Sequence, residues 1–148
     1  SRLKGVRGMG GAAGLQATLE KLEELGFVDF VNNRREVRLH DENAIAHLLK
    51  RVSAVCDLET LRELLQPIST RGVLYNSRAT GKARSDSDYD VFVVTTQTDE
   101  VQRVAERHPL GKLLKVLCWT PDEFSHLTER DAKLASKLER GILLWGWV

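Results

Sequence analysis

Hydrophobic positions along this chain alternate between a helical and a strand period. Leu15, Leu19, Leu22 and Leu25 recur at helical spacing, with Glu20, Lys21, Glu23 and Glu24 on other faces. That pattern predicts a helix, stopped by Gly26 at its C′ position. Five glycines in residues 1–14 predict a loop before it. Residues 27–31 and 36–39 read as strands, and Asn32-Asn33 between them tolerates the positive φ of a tight hairpin. Asp41 suits the N-cap of a helix over 42–53, with Ile45, Leu48, Leu49 and Val52 as its apolar face. Asp57 suits the cap of the next, with Leu58, Leu61, Leu64 and Leu65 inward and an end near Pro67. Strands are predicted at 72–75, 91–94 and 113–119. Between the first two lie a short 77–81 helical segment and a Ser/Asp-rich loop. Thr98 or Asp99 opens a helix to His108, with Val101, Val104 and Ala105 inward. Thr120-Pro121-Asp122-Glu123 carries an N-cap threonine, proline at N1 and a glutamate that completes a capping box. Leu127, Leu134 and Leu138 suit one last helix, and Gly141 releases 142–146 as a final strand.

The chemistry concentrates between Asn76 and Asp90. The end of the 72–75 strand, at Asn76-Ser77, presents backbone N–H groups and a hydroxyl to an anion. Asp88 and Asp90 are two apart at the mouth of a strand, so alternation faces both to one side. A hard cation such as Mg²⁺ takes carboxylate oxygens and leaves room for phosphate. The plain alternative is a polar turn whose carboxylates cap loop N–H groups. His40, His47, His108 and His126 have no ligand spacing among them. Cys56 and Cys118 fit no metal or redox spacing and read as reduced thiols. Trp119, Trp145 and Trp147 lie on or beside predicted strands and suit packing.

Asn76-Ser77-Arg78-Ala79-Thr80-Gly81 followed by Ser87-Asp88-Tyr89-Asp90 resembles the signature of polymerase-β-like nucleotidyltransferases, in particular their minimal domains. In that family a strand is followed by Gly-Ser-Arg-Ala-x-Gly, a loop, then Ser-Asp-x-Asp opening a second strand. The resemblance spans residues 58–146. It implies that Asp88 and Asp90 are catalytic and hold Mg²⁺ or Mn²⁺. It implies that Ser77 holds the β/γ-phosphates of an NTP, with Asn76 beside it, and that Arg78 pairs with phosphate or locks the loop. Gly81 turns the short helix back. Two positions depart from the pattern. Asn76 replaces the family's first glycine. The third carboxylate, expected on the 113–119 strand, is absent there, and Lys115 stands near its place, where it can neutralise a nucleotide phosphate or the vacated acidic site.

Residues 14–40, a helix ending in Leu-Gly-Phe-Val and then a basic hairpin, resemble the recognition helix and wing of winged-helix DNA-binding domains. On that resemblance Arg34, Arg35 and Arg38 contact DNA phosphates; an ordinary solvated hairpin is the alternative. The expected fold is therefore α/β: a nucleotidyltransferase-type mixed sheet flanked by helices over 57–148, preceded by a small helix–hairpin, winged-helix-like module over 1–56.

Hydrophobic content of 42% and charged content of 29% fit a soluble globular chain, and a net charge of +1 selects no partner. No apolar run approaches the roughly 20 residues of a membrane span, and no signal peptide is visible, so a cytoplasmic protein without a membrane partner is expected. The missing initial Met suggests a trimmed, tagged or incomplete chain. Two functions follow from the resemblances. One is metal-dependent transfer of a nucleoside monophosphate from an NTP to an unknown acceptor, weak or lost for want of the third carboxylate. The other is a DNA-binding transcriptional regulator with a degenerate nucleotide-binding domain. A homo-oligomer is compatible with either.

Overall fold

The computed structural model describes residues 11–25, 28–31, 36–39 and 44–146. Helix α1 runs Gly11–Glu24, so it starts inside the stretch expected to be loop. Ala12 and Ala13 are the strongest helix formers and outweigh the glycines on either side of them. Strands β1 (Val28–Val31) and β2 (Glu36–Leu39) pair antiparallel as a hairpin, with Asp29 opposite Arg38. The expected turn at Asn32-Asn33, the cap at Gly26, the N-cap at Asp41, and Arg34 and Arg35 lie outside the described residues.

Helix α2 spans Ala44–Asp57 and α3 spans Glu59–Leu65. The face α2 buries is not the expected leucine stripe. Ala46, Ser53 and Ala54 are buried, while Leu48 and Val52 are 54% and 45% exposed. Small side chains let the helix lie close to its neighbour, which a row of leucines would prevent. In α3, Leu61 and Leu65 point inward and Leu64 is 53% exposed. Asp57 is the last residue of α2, and no side chain caps α3. Helix α2 therefore runs past residue 56, where the sequence suggests a division, and places Ala54 in the sheet's core.

The main sheet has four strands in the order β5-β4-β3-β6. They are β3 (Arg71–Tyr75), β4 (Tyr89–Val94), β5 (Leu114–Trp119) and β6 (Ile142–Trp145). Strand β3 pairs antiparallel with β4 and β6, and β4 pairs parallel with β5. A parallel pair needs a crossover, and α5 (Thr98–Glu106) supplies it. One face of the sheet buries Leu74, Val91, Val93 and Leu114 against Leu58, Leu61, Leu65, Val101 and Ala105. The other buries Val73, Tyr75, Phe92 and Val94 against Leu134 and Leu138. At edge strand β6, Trp145 packs over Gly72, where a Cβ would come within 2.4 Å of the indole.

The chain after β5 forms three short helices, not one. They are α6 (Pro121–Ser125), α7 (Leu127–Arg130) and α8 (Ala132–Glu139). The capping box of Thr120 and Glu123 forms, with the Glu123 N–H donating to Thr120 Oγ1 at 3.2 Å. The breaks fall at His126 and Asp131, where Asp131 caps α8 by accepting from the Leu134 N–H at 3.0 Å. Among the described residues no helix is long and apolar enough to cross a membrane.

Candidate nucleotide site

Strand β3 ends at Tyr75, and the chain turns at once through Asn76 into the one-turn helix α4 (Ser77–Thr80). Asn76 has φ 63° and ψ −148°, a region that is essentially glycine's. The turn is held by its carbonyl, which accepts from the N–H groups of Ala79 and Thr80 at 3.1 and 3.2 Å. Its side chain turns to the strand beside it, where Nδ2 donates to Asp90 Oδ2 at 3.1 Å. Gly81 closes α4 in the left-handed region at φ 76°. A Cβ there would come within 2.3 Å of the His47 carbonyl oxygen on α2.

The loop from Lys82 to Asp88 is short of apolar side chains and is fixed by polar contacts. The Arg84 N–H donates to Ser87 Oγ at 2.8 Å, and the Ser87 N–H donates to the Arg84 carbonyl at 3.1 Å. Arg78 donates from Nε and Nη2 to the Ser87 carbonyl at 3.3 and 2.8 Å, and from Nη2 to that of Ser85 at 3.4 Å. Its guanidinium also lies 4.1 Å from the Tyr89 ring centroid, within cation–π range. Of the two uses open to Arg78 in the sequence, locking the loop is the one its contacts display. Tyr89 is buried between the two aspartates, and its hydroxyl donates to Asp57 Oδ2 at 2.6 Å. Burial first, then that bond and the charge of Asp57, push the phenol up to about 12.

Tyr89 points into the α3/α5 face, so alternation sends Asp90 to the opposite side, and Asp88 lies just before the strand begins. Asp90 is half-buried; Asp88 and Asp86 are exposed. The register then sets what surrounds Asp90. Tyr75 is level with it on β3 and Lys115 is level with it on β5. Level residues on paired strands share a face, so Lys115 lies on Asp90's side of the sheet. Lys115 is exposed, and no ion pair joins it to Asp90 among the described residues. Burial, with Asp90's charge second, raises the Tyr75 phenol. Tyr75 and Lys115 also line a cleft of about 290 Å³ at the β5 edge, with Gln102, Leu114, Val116 and Leu117. Gln102 closes part of that edge by donating to the Val116 carbonyl at 3.0 Å.

Thus Asn76, Ser77, Arg78, Asp88, Asp90 and Lys115 come together at one end of the sheet. Arg38 is on the separate hairpin, and Arg34 and Arg35 lie outside the described residues. Among the described residues no three His, Cys, Asp or Glu side chains gather as a metal site. Asp88 and Asp90, the latter with one oxygen already engaged by Asn76, offer the carboxylate oxygens that a hard divalent ion takes. The position level with Asp90 on β5 carries an ammonium where a further carboxylate would add a ligand. The contacts of Lys50 with Ala83 and of Asp57 with Tyr89 were not legible in the sequence, because they join positions about thirty residues apart.

No protein-family model matches the sequence, and no curated protein matches it. Among solved structures, the crystal structure of "a putative nucleotidyltransferase from Sulfolobus solfataricus" is similar at 15% identity and a TM-score of 0.44. The likeness covers 70% of this chain and 93% of that chain.

Proposed function

We propose that this chain is a nucleotidyltransferase-fold protein that binds an NTP with one divalent cation, Mg²⁺ or Mn²⁺, and transfers nucleotide weakly or not at all. The observation that carries this reading is the β4–β5 register, which sets Lys115 level with Asp90 where a third carboxylate is expected. Asp88 and Asp90 hold the cation. Bound there, the ion neutralises phosphate oxygens and orients them. The Ser77 hydroxyl and the backbone N–H groups at 76–77 take phosphate oxygens, and the Lys115 ammonium offsets their charge. Arg78 keeps the loop in place. With one cation and no third carboxylate, an acceptor hydroxyl lacks the group that would take its proton, so binding outlasts transfer.

Calorimetric titration with ATP and GTP, with Mg²⁺ and with EDTA, tests the site. Binding should depend on the ion, and Asp90→Asn should weaken it by about 2 kcal/mol, on the order of 30-fold. Equal affinity with and without Mg²⁺ removes the aspartates from the site. Label transfer from NTP at about 1 s⁻¹ or faster would make the chain an ordinary enzyme and overturn the weak-transfer reading.

A second reading, duplex-DNA binding through Arg34, Arg35 and Arg38, draws support from the order of α1 and the β1–β2 hairpin. Each phosphate neutralised adds about 0.9 to the log–log salt slope, so replacing the three arginines by alanine should flatten it.

A further inference from the structure

Helix α2 lies behind the site loop and meets it or its flanking residues at three points. The His47 backbone abuts Gly81. Lys50 Nζ donates to the Ala83 carbonyl at 3.3 Å. Asp57 Oδ2 accepts from the Tyr89 hydroxyl at 2.6 Å. Successive helical residues turn by about 100°, so positions 47, 50 and 57 fall within an arc of about 80°. The small residues Ala46, Ser53 and Ala54 allow that side of the helix to approach closely. The anchors bracket the loop, with Gly81 just before it, Ala83 near its start and Tyr89 just after it. Arg78 joins them from within, since its guanidinium rests on the Tyr89 ring and holds the Ser85 and Ser87 carbonyls. Asp88 itself is exposed, so its position depends on this frame.

We propose that Lys50 and Asp57 are positioning residues of the nucleotide site: α2 is a splint that holds loop 82–88 where Asp88 and Asp90 share one cation. This rests on the nucleotide-binding reading above. Lys50 tethers the start of the loop through the Ala83 carbonyl, so removing its ammonium should be felt first in the loop. Asp57 holds the other end, where its bond to Tyr89 is short and sits against a buried ring.

The test uses Lys50→Met, which keeps the stem and removes the donor, Lys50→Arg, which restores it, and Tyr89→Phe. The last removes the bond to Asp57 and leaves the ring under Arg78. Two measurements are made on each full chain: amide hydrogen exchange of residues 82–88, and calorimetric affinity for ATP with Mg²⁺ and with EDTA. Lys50→Met and Tyr89→Phe should speed exchange in the loop about fivefold or more and leave β3 and β4 unchanged. Both should lower Mg²⁺-dependent affinity about fivefold and leave affinity in EDTA as it was, with Lys50→Arg restoring wild-type values. Unchanged loop exchange in both variants overturns the proposal, as does an equal loss of affinity in EDTA. If the wild-type chain binds no ATP, the nucleotide reading fails and exchange alone decides the splint: a loosened loop upholds it and an unchanged loop overturns it.

Discussion

Two residues with positive φ bound α4, Asn76 at 63° and Gly81 at 76°, and they are held there by different things. Gly81 is fixed by the fold. The His47 backbone sits where its Cβ would be, so no side chain fits whatever its chemistry. Asn76 is fixed by the site. It occupies a glycine conformation while its carboxamide binds Asp90, the residue at the centre of the constellation. The difference separates frame from charge. At Gly81, α4 and α2 keep the geometry of the turn itself. At Asn76, and across β4 at Lys115, the groups around Asp90 are a hydrogen-bond donor and an ammonium. On the proposed nucleotide-binding reading, such surroundings favour phosphate over a second metal.

The largest effect should come from the frame. Gly81→Ala forces a left-handed alanine, at about 1–2 kcal/mol, and drives a methyl into the His47 backbone, at a further 1–3. A loss of about 3 kcal/mol is expected, which lowers Tm by about 10 °C in a chain of this size. Thermal unfolding followed by circular dichroism measures it. An unchanged Tm would mean that α2 does not lie against α4, and the contrast between the two turns would go with it.

The sequence made the frame legible and left the charge partly hidden, for physical reasons. Val91, Val93 and Val94 announce β4 because a strand covered on both faces is apolar at nearly every position. Thr120 and Glu123 announce α6 because a capping box is local chemistry. The burial of α2 and α3 is read less well. Leu48, Val52 and Leu64 suggest an inward stripe, yet the face that α2 buries carries Ala46, Ser53 and Ala54 instead, with Ala54 in the sheet's core. Asp57 looks like a helix cap because it precedes an apolar helical pattern; its partner, Tyr89, is 32 residues away. The last helix reads as continuous because Leu127, Leu134 and Leu138 keep helical spacing across the break at Asp131. The resemblance alone puts Lys115 near the third-carboxylate position, but its alignment with Asp90 needed the register, because one residue of slip would have turned it away.

The charge side of the comparison is sharpened at Lys115. Neighbouring strands lie about 4.8 Å apart, so an ammonium level with Asp90 repels a cation held there, though its exposure lets water screen the effect. Lys115→Asp should raise Mg²⁺ affinity, measured by calorimetry in the presence of ATP, by about 1 kcal/mol, roughly fivefold. Any label transfer should rise with it. A fall in affinity would mean that Lys115 contributes more by pairing with phosphate than it costs by repelling the metal.

Asn76→Gly is the smallest change and separates the two turns most cleanly. Glycine adopts φ 63°, ψ −148° without strain, which recovers about 1–3 kcal/mol. Against that stand the greater freedom of glycine in the unfolded chain, about 0.5–1 kcal/mol, and the lost bond to the Asp90 carboxylate, about 1.5–3 kcal/mol before solvent replaces it. The terms nearly cancel, so urea unfolding should show a stability within about 1 kcal/mol of the wild type. Nucleotide binding should respond differently. Removing the carboxamide frees Asp90 Oδ2 for a cation and leaves the backbone N–H groups of the turn in place. Mg²⁺-dependent ATP affinity should therefore rise, by about threefold if the competing bond is worth a little under 1 kcal/mol. If affinity falls while stability holds, the Asn76 side chain itself contacts the nucleotide. Asn76 would then be a ligand-binding residue in its own right, not a competitor for Asp90.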